Sequence, residues 1–380
     1  MNEQAYQLKS INWEWTLESD EDSLHGPPAD GQEDLTTEQM MKVVDDLGAL
    51  GCEMASIGGG NIFLRSDWEK IAKAMLDKGI KMALMSSGEG IRANIAKIPQ
   101  YFKGVGITIE GTAGTHDTIK QKSGSFERAV DAIKALKDAG VYTGVVTTIS
   151  NMNITEMETM YALVKELAPK DWLVRTTMSS GALRRPGFES YTIPPADLII
   201  LIKYISDYNR HKELTVAAGC DIGYYAEEEY LRREPWRGCI SGIWTAALES
   251  GGNVKPCLCL PDEFIEGNVK ETPLSSIWSS ADSFSSIRHF NPENMSGYCR
   301  VCQNSYTCGC GCIGSAFAST GSRYDNIYCF ECLTKEFRFM AEHPEGGKTL
   351  QSLTERSKTA KEELFTIYRE LADRKNKEEA

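Results

Sequence analysis

The run C-R-V-C-Q-N-S-Y-T-C-G-C-G-C, residues 299–312, decides how this sequence is read. By spacing it is Cys299-x2-Cys302-x5-Cys308-x3-Cys312, with Cys310 between the last two. Upstream stands Cys239-x12-Gly252-x4-Cys257, and downstream Cys329. Thiols this dense are not ordinary core packing; they point to a soft metal, a set of disulfides or a cluster. There are 12 cysteines in 380 residues, most of them from residue 239 on. The first ten residues are polar, without the apolar run of a signal peptide, so metal is the better reading than disulfides. C-x2-C also suits structural zinc. Ligand type and spacing favour iron–sulfur.

Length suggests two or three domains, and at 41% hydrophobic and 25% charged residues the chain can bury a large core. No apolar run reaches membrane-spanning length, so a membrane partner is not expected and cytoplasm is the default. The net charge of -13 argues against a basic, phosphate-binding face and so against nucleic acid.

The order of elements is regular. Ile11, Trp13 and Trp15 alternate with Asn12, Glu14 and Thr16, a strand pattern. A polar loop, 17–33, follows, and Thr36-Thr37-Glu38 opens a helix ended by Gly51. Strands are expected at 53–57, 81–85, 105–109, 141–149 and 172–177, and helices at 66–77, 125–139, 154–167 and 194–208. Six β-then-α units predict an α/β fold with a parallel barrel or a doubly wound sheet, and ligands at the C-terminal strand ends. Periodicity does not separate those two. Leu364, Ile367, Tyr368 and Leu371 form an apolar stripe in a Lys- and Glu-rich terminal segment, read as an amphipathic helix.

The cysteine spacings resemble the SPASM domain, the C-terminal extension of many radical S-adenosylmethionine (SAM) enzymes, including peptide maturases. That resemblance implies a partial (β/α)6 barrel over 1–215, a SPASM domain over 216–340 with two auxiliary [4Fe-4S] clusters, and a C-terminal helical extension over 341–380. The stretch T-P-L-S-S-I-W, residues 272–278, is similar to the helix that links the halves of such domains. By the same resemblance Cys239, Cys257 and Cys312 hold the first cluster, with Cys259 the nearest fourth ligand. Cys299, Cys302, Cys308 and Cys329 hold the second. Cys310 and Cys332 are spare, and Cys52 and Cys220 read as core cysteines.

One motif of that family is missing. Its C-x3-C-x2-C run, which binds the cluster that chelates SAM, aligns from Thr16 onto Ser19, Ser23 and Gly26. Serine hydroxyls are hard, high-pKa donors, and glycine offers none. The family's Gly-Gly-Glu motif, which binds the SAM amino group, is Gly59-Gly60-Asn61 here, so a charge-assisted bond is lost. Arg65, Asp67 and Trp68 are retained from the same motif and read as structural. Ser86-Ser87-Gly88 sits where the family contacts the SAM ribose and Glu110-Gly111 where it usually has Asp-Gly after the fourth strand, and both also fit ordinary turn chemistry. SAM is therefore not expected as a cofactor.

The resulting expectation is a catalytically degenerate homologue. It would serve as partner subunit to an active radical SAM protein that modifies a ribosomal precursor peptide, by docking and electron transfer. The acidic residues Asp20, Glu21 and Asp22 would face a basic partner. Two alternatives stand beside it: an active radical SAM enzyme with an atypical cluster site, and an enzyme of another class using the barrel mouth. His25, His116 and His211 form no motif for the latter.

Overall fold

The computed structural model describes residues 6–27, 33–179, 184, 186–211, 213–222 and 238–335. Seven parallel strands follow one another in chain order: β1 (Ser10–Thr16), β2 (Met54–Gly59), β3 (Lys81–Ser86), β4 (Phe102–Thr108), β5 (Tyr142–Ile149), β6 (Asp171–Thr176) and β7 (Val216–Ala218). β8 (Thr245–Leu248) adds in parallel to the free edge of β1. β9 (Asn253–Lys255) and β10 (Gly267–Asn268) continue the sheet antiparallel. The order is β10-β9-β8-β1-β2-β3-β4-β5-β6-β7, a partial barrel that runs on into the cysteine-rich segment.

Between the strands lie α1 (Thr37–Ala49), α2 (Trp68–Asp77), α3 (Ile98–Tyr101), α4 (Ala113–Lys120), α5 (Ser125–Asp138), α6 (Met157–Leu167) and α7 (Asp197–His211). The start of α1 follows from its sequence. Thr36 accepts from the Gln39 amide while the Gln39 side chain accepts from the Thr36 amide, a reciprocal cap. β5 is buried from Thr143 to Ile149, as a central parallel strand covered on both faces must be. β1 departs from simple alternation: Trp13 and Trp15 are buried, but so are Glu14 and Thr16. Both of its faces are covered, and the polar one carries a charge.

α4 and β7 are among the elements that had no sequence signal. α4 reads A-G-T-H-D-T-I-K, and its buried residues are His116, Ile119 and Lys120. Two of those three are polar, so no apolar stripe announced it. β7 has three residues, too short to show a period. The expected helix at 272–278 is present as Leu274–Ser279. The amphipathic helix and the 341–380 extension lie outside the described residues.

β1 pairs on both sides, with β2 from Ser10↔Met54 to Thr16↔Gly59 and with β8 from Ser10↔Thr245 to Trp13↔Leu248. A chain ended at residue 215 would strip β8 from β1 and expose an apolar strand edge. It should be insoluble or self-associating, whereas the full chain is not. Size-exclusion chromatography of the two checks this, and a monodisperse 1–215 fragment would refute it.

Candidate functional site

The segment after β1 turns across the strand ends and is held by charge. The Glu21 carboxylate accepts from Arg128 Nη2 at 2.6 Å and from Ser125 Oγ at 2.7 Å, with Lys120 Nζ at 4.0 Å. Asp20 pairs with Arg128 at 3.2 Å and Lys122 at 3.3 Å. The Gln121 amide donates to the Asp22 carbonyl, and Leu24 N–H to the Ile119 carbonyl at 2.9 Å. Burial alone would raise Asp20, but Arg128 and Lys122 hold it below its ordinary value. The acidic run is thus neutralised by the chain's own cations. The expectation that it faces a basic partner is corrected: two of its three carboxylates are already in ion pairs.

Beneath the loop, His25, Glu110 and His116 converge, although no sequence motif links them. All three are buried. Glu110 Oε2 accepts from Thr148 N–H at 2.8 Å and stands 3.5 Å from His25 Nδ1, at the outer limit of a hydrogen bond. Burial would push this carboxyl up, but His25, Lys120 and the Thr148 amide bring it to about 2. His116 Nδ1 accepts from the Glu110 amide at 3.0 Å, so in the neutral ring Nε2 carries the proton. That N–H then donates to Ser125 Oγ at 3.2 Å, and Ser125 donates on to Glu21. A Ser–His–carboxylate set is present, but the histidine gives a proton to the serine instead of taking one. Ser125 is not an activated nucleophile.

A second buried charge cluster joins the barrel to the cysteine-rich segment. Arg184 pairs with Glu14 at 2.7 Å and with Glu249 at 2.5 Å, and Lys255 pairs with Glu249 at 2.6 Å. These groups lie within 8% of full burial, so each depends on its partners. Burial raises Glu14 against the opposing pull of Arg184.

The thiols form two groups. Cys259 Sγ donates to Cys257 Sγ at 3.4 Å. A Cβ on Gly314 would lie 2.8 Å from the Cys259 sulfur, so glycine there leaves that thiol room. Cys239 is within electrostatic reach of Cys312 and Cys257. Burial pushes Cys239 up to about 11, whereas the Cys259 hydrogen bond, with Arg175 and Arg184, brings Cys257 down to about 7. The second group lines one pocket: Cys299, Cys302, Cys308 and Cys329, together with Cys310. Burial pushes Cys329 up to about 12. Buried thiols of this kind ionise only against a cation that replaces the proton.

Two family models match the sequence, one described as the Radical SAM superfamily over residues 20–165, the other as an iron-sulfur cluster-binding domain, SPASM, over residues 239–303. The chain belongs to the radical SAM superfamily and carries a SPASM domain. Its relatives include the AdoMet-dependent heme synthase of Methanosarcina barkeri, 27% identical over 314 residues, 78% of this chain and 87% of that protein. The subtilosin biosynthesis protein AlbA of Bacillus subtilis is 26% identical over 300 residues, 70% of this chain and 60% of that one. Among solved structures, Streptococcus suis SuiB bound to S-adenosylmethionine superposes with a TM-score of 0.65 at 16% identity, over 84% of this chain and 76% of that chain. Native anSMEcpe with bound AdoMet gives 0.65 at 14% identity, over 88% and 97%. These two likenesses are of fold.

Within this radical SAM/SPASM chain the two thiol groups fit iron–sulfur clusters by donor chemistry: the ligands are soft sulfurs, buried or half-buried, in the SPASM segment. The positions aligned with the SAM cluster do not fit one. Ser19 Oγ donates to Glu89 at 3.1 Å, Ser23 Oγ accepts from the His25 amide at 3.3 Å, and Gly26 has no side chain. Asn61 caps a short 3-10 turn, its Oδ1 accepting from Phe63 N–H at 3.1 Å. Gly59-Gly60 is needed for close approach: Cβ atoms there would fall 2.1 Å from the Thr16 carbonyl and 2.2 Å from that of Glu18. Arg65 ties the Trp15 and Leu35 carbonyls to Asp67, and Trp68 packs on Phe63, a structural role for each. Ser86 closes a turn by accepting from Gly88 N–H.

Three cysteine readings change or sharpen. Cys220 is exposed, not core, and lies within electrostatic reach of Cys259. Cys310 lines the second cavity. Cys52 is buried, as expected of a core cysteine.

Burial, then Lys120, lowers His116 from 6.5 to about 4. Between those values the unfolded chain binds the extra proton, so stability falls as pH drops through that window. Urea unfolding should show a loss of about 3 kcal/mol between neutral pH and pH 4. His116→Asn, which keeps an acceptor for the Glu110 amide but does not titrate, should remove most of it. An unchanged pH dependence in that variant would locate the effect elsewhere.

Proposed function

We propose that this chain is a radical SAM/SPASM homologue that no longer cleaves SAM and acts as partner subunit to an active radical SAM enzyme. The observation that carries the reading is the loop after β1. Its aligned positions hold no thiol, its hydroxyls are committed, and Asp20 and Glu21 are ion-paired across the strand ends. In this reading the chain carries two [4Fe-4S] clusters. Cys239, Cys257, Cys259 and Cys312 hold the first, Cys299, Cys302, Cys308 and Cys329 the second. The Cys257–Cys259 contact supports Cys259 as the fourth ligand of the first.

The partner's substrate is a ribosomal precursor peptide in the reading we favour, in keeping with relatives such as AlbA and with a solved SuiB structure bound to precursor peptide SuiA. Relatives named as heme synthases make a tetrapyrrole the second class to test. Since the acidic loop is self-paired, the docking face lies elsewhere. Val301 and Tyr306, 78% and 81% exposed beside Cys302 and Cys308, give apolar surface next to the second cavity. An electron path to a subunit bound there would be short.

Anaerobically purified protein should hold roughly eight irons per chain. With dithionite and SAM it should form no 5′-deoxyadenosine above a no-protein control. About twelve irons, or detectable 5′-deoxyadenosine, would favour an active enzyme with an atypical site. The subunit role predicts co-elution with a cysteine-complete radical SAM protein, weakened by Tyr306→Asp, and slower substrate modification when this chain is omitted. A partner that works equally well alone and elutes alone would end that reading.

A further inference from the structure

A [4Fe-4S] cluster takes four thiolates, yet five cysteines line the second cavity: Cys299, Cys302, Cys308, Cys310 and Cys329. Chain geometry brings in the fifth. Cys308 ends the helical turn Ser305–Cys308, and the next three residues, Gly309, Cys310 and Gly311, all have left-handed backbones, with φ of 60°, 65° and 77°. The left-handed region suits the two glycines but is costly for a residue with a side chain. Here it turns the chain so that Cys310, two residues on, reaches the same cavity as Cys308. The strained residue is also fixed. The Asn326 side chain, itself buried, donates to the Cys310 carbonyl at 3.1 Å. The Cys310 sulfur is hydrogen-bonded to that of Cys299 and is 3% exposed. Cys332, equally buried, does not line the cavity.

We propose that Cys310 is a second donor for the ligand position served by Cys308, so that the cavity offers five cysteines for four places. Either cysteine can hold the iron while the other remains a thiol in reserve, packed against Cys299 in the case of Cys310. Exchange between them transfers one proton and leaves the total charge unchanged, so it needs no oxidant or reductant.

The inference rests on the second cavity being a cluster site, and the wild-type iron content tests that separately. The experiment uses the full chain, reconstituted anaerobically, and compares wild type, Cys308→Ala, Cys310→Ala, the double variant and Cys302→Ala as the control without a reserve donor. Iron, acid-labile sulfide and EPR after reduction are the readouts, with melting curves to confirm folding. Each single variant at 308 or 310 should keep roughly eight irons, Cys308→Ala with a shifted EPR signal. The double variant and Cys302→Ala should each fall to roughly four. Loss of four irons by Cys308→Ala alone, or by Cys310→Ala alone, would overturn the redundancy, as would a double variant that keeps eight. If alanine variants fail to fold, the Cys308→Ser and Cys310→Ser pair, which keeps side-chain volume, is read by the same outcomes. A wild type holding only four irons would instead overturn the second cluster itself.

Discussion

β1 is the strand on which the rest depends. Among the described residues it is the strand through which β2–β7 are paired to β8–β10, since β8 adds directly to its edge. Its two tryptophans are fully buried, and Glu14 on the same strand is held by Arg184, which also grips Glu249 just after β8. The strand therefore fixes the barrel, the SPASM domain and the loop across the mouth in one frame. A parallel strand with neighbours on both sides has no freedom to slide, because a one-residue slip would exchange its covered faces.

Burying charge is costly, and the molecule concentrates that cost at two places. One is the Glu14–Arg184–Glu249–Lys255 group between the domains. The other is the loop over the strand ends, where Glu21 and Glu110 are buried among Arg128, Lys120 and His25. In each case every charge has an opposite charge nearby, and removing one partner leaves the other stranded. Lone-partner substitutions should therefore harm the fold more than replacing a whole pair. The thiol groups follow the same logic with protons in place of ion pairs.

Much of the frame was legible in the sequence. Gly51 and the Thr36 cap marked the ends of one helix, and strand positions fell within a few residues of those observed. Cysteine spacing carried the SPASM assignment. What stayed hidden was polar. α4 buries His116 and Lys120, which periodicity counts as surface. Asp20 and Glu21 read as a solvent-facing acidic patch because their cations, Arg128, Lys120 and Lys122, lie about a hundred residues away in the chain. Cys310 looked spare because a spacing rule knows nothing of a left-handed turn that returns the chain to the same cavity.

The glycine pair at the end of β2 has a consequence for what the loop can carry. Gly59 and Gly60 let the Thr16–Glu18 backbone lie against them, and Gly60 N–H and Asn61 N–H bond the Thr16 and Glu18 carbonyls at 2.7 Å each. The entry to the loop is thus pinned by main chain alone, whatever side chains it carries. Beyond that anchor Asp20 and Glu21 tie the α4–α5 region through Lys120, Lys122, Arg128 and Ser125. Cysteines placed at 19, 23 and 26 would leave those two carboxylates where they are, so three new thiolates would have to share the loop with negative charge already in place.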